Sequence, residues 1–218
     1  MRETKLIAGC VVLAASFVMV ASAATPSVVY NNSDATKYLN ISVPMPSGKV
    51  EFGDEINLAG TARLLSALKI EVFAKDLGGN ETASMQLYKN NGTYQSPIFE
   101  QIGSAVPVAL VNGFNTLTYT DPALILPDTF IWTVSFNGVG PGERAELPIY
   151  NPPTVGSSLD DFWTKDSSGS WTLFRFDGGN PAGNFAANVT AVPEAGTIAY
   201  GLMGGLMVLG YLRLRRQQ

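Results

Sequence analysis

Thr129-Phe130-Ile131-Trp132-Thr133-Val134-Ser135-Phe136 reads as a β-strand. Phe130, Trp132, Val134 and Phe136 fall on one side, and Ile131, Thr133 and Ser135 on the other. A period of two is the signature of a half-buried strand, and the large rings mark the face that enters a core. Trp132 is therefore expected inside. The same period recurs on both sides of this stretch. Ala83, Met85 and Leu87 alternate with Thr82, Ser84, Gln86 and Tyr88. Phe185, Ala187 and Val189 alternate with Ala186, Asn188 and Thr190, which predicts a last strand over 185–190. Leu64, Leu68, Ile70 and Val72 follow a looser version, and 63–68 taken alone fits a helical turn as well.

Turn chemistry separates these runs at short intervals. Pro46-Ser47-Gly48, Leu77-Gly78-Gly79-Asn80, Asn112-Gly113, Asn137-Gly138 and Asp177-Gly178-Gly179-Asn180 all supply residues that tolerate tight or left-handed backbone. Lys89-Asn90-Asn91-Gly92-Thr93 is the best hairpin candidate, because Asn-Gly suits the positive φ of a tight turn. Many short strands with glycine-bearing turns predict an all-β chain. The expected architecture is a two-sheet β-sandwich, jelly-roll-like, with an immunoglobulin-like sandwich as the alternative.

The two ends have a different character. Arg2 and Lys5 precede the apolar stretch Leu6 to Val20, and Ala21-Ser22-Ala23 follows as a small-x-small site. That layout predicts a signal peptide over 1–23 cut by signal peptidase between Ala23 and Ala24. Ile7-Ala8-Gly9-Cys10 offers a lipoprotein-type cut as the rival route, but it leaves a long apolar run after the cut. At the other end, Val192-Pro193-Glu194-Ala195 precedes the charge-free run Ile198 to Leu212, and Arg213, Arg215 and Arg216 close the chain. A spanning helix takes about 20 apolar residues. A transmembrane helix is therefore expected at about 196–212, with the basic tail 213–216 kept on the cytoplasmic side of an inner membrane. The stretch between, 24–191, is the expected ectodomain.

Pro193-Glu194-Ala195, the apolar run and the terminal arginines together resemble the PEP-CTERM sorting signal of Gram-negative bacteria. Family members usually carry Pro-Glu-Pro, and Ala195 departs from that. The resemblance covers 192–218 and implies recognition, and removal of the tail, by an exosortase-type membrane protease. A tail anchor that stays uncut is the alternative. A second resemblance lies in the body. Phe52-Gly53-Asp54-Glu55-Ile56-Asn57-Leu58-Ala59-Gly60-Thr61, Thr129 to Val134, Asn151-Pro152-Pro153-Thr154-Val155-Gly156-Ser157-Ser158 and Asp160-Asp161-Phe162-Trp163 look like a recurrent ectodomain of uncharacterised PEP-CTERM proteins. It supports the architecture and implies no activity.

Composition narrows the chemistry. The chain has 218 residues, no histidine, and one cysteine, Cys10, inside the predicted signal segment. A mature chain of this kind has no disulfide, no thiol nucleophile, no Ser-His-Asp triad and no ordinary zinc site. Losing both ends takes 14 basic residues to 9 and 18 acidic residues to 16, a net charge of −7. Nucleic-acid binding needs clustered cations, so nucleic acid is not an expected partner.

Carboxylates are the remaining acid-base material. Asp54-Glu55 and Asp160-Asp161 are adjacent pairs, and neighbours on a strand point to opposite faces. Asp160 and Asp161 are candidate calcium ligands, with surface charge or loop capping as the plainer reading; calcium is the one cofactor the sequence allows for. Trp163 and Trp171 bracket the polar loop Lys165 to Ser170; burial in a core is the plainer reading of both, and a sugar-binding platform is the functional one. The sequence thus predicts a non-catalytic protein exported across the inner membrane. It is then expected at the cell surface or in the extracellular matrix, in association with polysaccharide. A secreted carboxylate-dependent glycan hydrolase is the second expectation.

Overall fold

Phe130, Trp132 and Val134 lie at the centre of a sandwich of two antiparallel sheets, with no accessible surface on any of the three. The structure is a computed structural model that describes residues 25–104 and 106–194. The predicted cleavage site at Ala21, Ala23 and Ala24 lies outside the described residues. So do Ala195 and the predicted span and basic tail with Arg213, Arg215 and Arg216.

In chain order the strands are β1 (Ser27–Asn31), β2 (Tyr38–Pro44), β3 (Lys49–Asn57), β4 (Leu64–Lys75), β5 (Thr82–Asn90), β6 (Phe99–Ser104) and β7 (Val108–Ala109). They continue as β8 (Gly113–Tyr119), β9 (Thr129–Asn137), β10 (Arg144–Tyr150), β11 (Ser157–Ser158), β12 (Asp161–Asp166), β13 (Trp171–Arg175) and β14 (Ala187–Val192). The larger sheet runs β13-β12-β3-β9-β5-β6, with β11 beside β3 and β7 beside β5. The smaller runs β1-β14-β4-β10-β2, with β8 on the far side of β4. Helix is confined to two short 3-10 turns among the described residues, and no helix there is long and apolar enough to cross a membrane.

The core fills the space between the sheets. Phe52, Ile56, Met85, Leu87, Phe130, Trp132 and Phe162 come from the larger sheet, and Leu68, Ile70, Val72, Leu147, Ile149 and Val189 from the smaller. Phe185, just before β14, packs edge-on against Phe52, Phe162 and Trp132 at centroid distances of 5.7, 5.2 and 6.3 Å. Fully burying one such ring contributes about 2–3 kcal/mol of transfer free energy. With no disulfide in the body, that burial carries the fold.

Two departures from the sequence reading have local causes. Residues 63–68 are not a helical turn. Ser66 is an unpaired bulge residue, since Ala67 lies opposite Thr190 while Leu65 lies opposite Ala191. The bulge sends Leu65 and Leu68 into the same core, so a strand carries a helix-like spacing of three. The last strand is also displaced: β14 ends at Val192, directly before Pro193. The segment leading into it is held by the buried Asn32 amide, which donates to the carbonyls of Tyr150 and Phe185 at 2.9 and 3.1 Å.

Candidate functional site

Both faces of the larger sheet are covered. Its outer side carries a second cluster built on Tyr88, Ile131 and Trp163, with Phe99, Trp171 and Leu173 packed around it. The pleat explains the membership. Trp163 pairs with Gly53 of β3 and with Leu173 of β13, and Lys165 pairs with Glu51 and with Trp171, so these side chains share one face. Ile131 and Thr133 of β9 and Tyr88 of β5 complete it through the pairings Glu55 to Ile131, Gly53 to Thr133 and Tyr88 to Ile131. Gly53 is obligatory in the centre: a Cβ there falls 2.0 Å from the Trp132 carbonyl oxygen and 2.6 Å from Thr133 Cα.

Two carboxylates organise the face. Glu51 accepts from Lys165 Nζ at 2.9 Å, from the Tyr88 hydroxyl at 2.8 Å and from Thr133 Oγ1 at 3.0 Å. Lys165 Nζ also lies 5.3 Å from the Trp171 ring and 5.6 Å from the Tyr88 ring, within cation-π range. Burial, together with the Glu51 carboxylate, pushes the Tyr88 hydroxyl well above the ordinary phenol range. Glu55 accepts from Trp163 Nε1 at 2.8 Å and from the Tyr94 hydroxyl at 3.1 Å. Burial, followed by the charge of Glu55, pushes the Tyr94 hydroxyl up to about 12, with Asp161 adding to it. That phenol is therefore a proton donor at any ordinary pH.

Asp161 shares the outer face with Glu55. Partial burial and then the Glu55 charge raise its carboxyl above the usual range, while Arg175 works against them. Asp160 is exposed, and its carboxylate is 3.5 Å from Arg175 Nη2. The Asp160 charge also raises the Asp161 carboxyl, and Arg175 lies near both. Among the described residues, no group of three or more His, Cys, Asp or Glu side chains converges as a metal site.

The two indoles offered as a platform sit as follows. Trp163 is only 1 % exposed, because Phe99 packs edge-on at 5.0 Å and the Tyr94 ring lies parallel to it at 6.1 Å. Trp171 is half-buried against Phe99 and Tyr88, at 4.4 and 5.0 Å. Neither ring is an open platform; the exposed aromatic of this cluster is Tyr94, at 44 %. It projects from the tip of the β5–β6 hairpin, residues 91–98, longer than the two-residue turn that Asn91-Gly92 predicts. Gly92 is needed for space: a Cβ there meets the Ser96 carbonyl oxygen at 2.2 Å.

Asp54 faces the other way, into the core between Phe52 and Ile56, as the alternation requires. The Ser158 hydroxyl donates to it at 2.7 Å and the Phe185 amide at 3.4 Å. Burial still pushes its carboxyl well above the usual range. The Tyr30 hydroxyl and the Trp132 indole N–H are also buried in the core and have no hydrogen-bond partner among the described residues. Separately, a groove of about 670 Å³ opens between the ends of the two sheets, lined by Met45, Val50, Phe136 and Val139, with Glu51 and Arg144 also on its wall.

Sequence reasoning missed Tyr94 and the pairing of Glu55 with Trp163. Both depend on contacts far apart along the chain. The one local signal was the phase of β3, which puts Glu51 and Glu55 on the face opposite Phe52. Comparison with known proteins found no matching family model, no matching curated relative and no matching solved structure.

Proposed function

We propose that this chain is an exported, non-catalytic β-sandwich of the bacterial surface or extracellular matrix, delivered through sorting segments at its two ends and associated there with polysaccharide. The observation that carries this reading is the placement of the termini. β1 and β14 are neighbours, so the chain enters and leaves the fold side by side, with Ser27 opposite Ala191. The predicted signal-peptidase cut then precedes the first strand by a few residues, and Pro193-Glu194 follows the last strand without a linker. Both segments can be removed without touching a strand. The absence of histidine, and of cysteine beyond Cys10, agrees with a binding or structural role. The alternation of successive strands between sheets, β3, β4, β5 and then β8, β9, β10, β12, supports a jelly-roll-like connectivity over an immunoglobulin-like one.

The test is location. Cells expressing the full chain with a matching exosortase are fractionated, and intact cells are treated with protease. The reading predicts protein outside the inner membrane and cleaved by protease added to intact cells, or recovered from the medium. A soluble cytoplasmic protein bearing residues 1–23 contradicts it.

The second reading, a carboxylate-dependent glycan hydrolase, is favoured by Glu55 and Asp161 on one face, with the Asp161 carboxyl raised beside the Glu55 charge. It predicts sugar release that is lost in Glu55→Gln. Stable binding without turnover contradicts it.

A further inference from the structure

An indole on the outer face of a sheet is normally at least partly wet. Trp163 is dry because the hairpin tip folds across it, and the tip is fastened lightly. Its backbone bonds close on itself: Asn91 to Ile98, Thr93 to Ser96 and back, and both Gly92 N and Ile98 N to Asn90 Oδ1. Among the described residues, the tip's one hydrogen bond beyond its own hairpin is from the Tyr94 hydroxyl to Glu55. Tyr94 thus holds the tip down with one hydroxyl and one ring, and it is the part of the cover that solvent reaches.

What Tyr94 does there defines what else fits. It lays a flat ring parallel to Trp163 and donates a hydroxyl to a carboxylate beside that ring. A pyranose does the same with its apolar C–H face and its ring hydroxyls. Beneath Tyr94 the acceptors are already in place. Glu55 is oriented by the Trp163 N–H, and Asp161 stands on the same face without a hydrogen-bond donor among the described residues. The neighbouring carboxylate, Glu51, is saturated by Lys165, Tyr88 and Thr133 and has no such vacancy. Gly53 leaves no side chain between Glu51 and Glu55 on this face.

We propose that Trp163, Glu55 and Asp161 form a subsite for one sugar ring of a hydroxyl-rich polysaccharide, and that Tyr94 occupies this subsite until the saccharide displaces it. The hairpin tip is then a strap whose release exposes Trp163. The choice of polysaccharide rests on the surface reading above; the subsite itself rests on the geometry. An occupant already in place lowers the apparent affinity by the fraction of time the subsite is free, so removing it raises affinity.

The experiment uses the full chain in detergent, with cellopentaose, xylopentaose, mannopentaose and galactopentaose as probes. Binding is followed by titration calorimetry and tryptophan fluorescence. Tyr94→Ala is expected to bind at least one probe about tenfold more tightly than the native chain. Its tryptophan emission is expected to be red-shifted before the sugar is added and to shift back on binding. Tyr94→Ala combined with Glu55→Gln is expected to lose that binding while keeping the circular dichroism of the parent. Equal affinity in the native chain and Tyr94→Ala overturns the strap. Binding that survives Glu55→Gln, or no binding of any probe by folded Tyr94→Ala, overturns the subsite. These outcomes are independent of where the protein resides, so failure here leaves the export reading standing and failure of export leaves the subsite standing.

Discussion

Ser27 lies opposite Ala191, and its hydroxyl reaches the Ala191 carbonyl at 3.4 Å, so the first strand closes on the last. The relationship sets the limits of the fold. β14 is an inner strand of the smaller sheet, held by β1 on one side and β4 on the other, and its last residue, Val192, pairs with Leu64. A chain that stops after Glu194 keeps every strand. One that stops after Ala186 loses an inner strand and the core residues Ala187, Val189 and Ala191. Thermal unfolding followed by circular dichroism is expected to show a cooperative transition for the first truncation and none for the second. A cooperative transition for both contradicts the assigned boundary.

Asp54 makes stability depend on pH in an unusual direction. Its folded-state carboxyl is raised, so the native state holds the proton more tightly than the unfolded chain, whose aspartates titrate at about 3.9. Its contribution is fully present below that pH and is lost as pH rises toward the folded-state value. Asp54→Asn keeps an acceptor for Ser158 and Phe185 without the ionisation. Urea midpoints are expected to rise for this variant at pH 7 by the equivalent of about 1–3 kcal/mol and to converge with the native chain near pH 4. A variant less stable at pH 7 than at pH 4, relative to native, contradicts the burial argument.

Gly53 tests the packing of the central strands. With 2.0 Å between an added Cβ and the Trp132 carbonyl oxygen, Gly53→Ala must push β3 away from β9. Overpacking of this kind costs about 1–3 kcal/mol. The expected result is a lowered urea midpoint or an insoluble product; unchanged stability refutes the close approach.

The sequence showed much of this molecule and hid a definable part. β9 was readable because its inward rings keep a strict period of two. Residues 63–68 were ambiguous because a bulge at Ser66 imitates helical spacing, and a bulge leaves no mark until the partner strand is known. Trp163 read first as core, with an exposed platform as the other reading, and the sequence could not show what covers it. The residues that cover it, Tyr94 and Phe99, come from a hairpin that only the tertiary fold brings over it. Asp54 and Glu55 were rightly separated by the pleat, but the environments that distinguish them, a dry core and an aromatic outer face, belong to other strands.

Lys165 and Glu51 allow a direct measure of the outer cluster. Their side chains are 25 % and 13 % exposed, drier than an ordinary surface pair. A double-mutant cycle with Lys165→Met and Glu51→Gln is expected to give a coupling of about 1 kcal/mol, at or above the upper end for exposed pairs. Coupling indistinguishable from zero places this pair with solvated surface ions.

The most direct test of the account as a whole is the intact mass of the protein recovered from an exosortase-bearing Gram-negative host. The account predicts a species that begins at Ala24 and ends near Pro193, leaving the Ser27–Val192 sandwich whole. Recovery of a single species running from Met1 to Gln218 contradicts it.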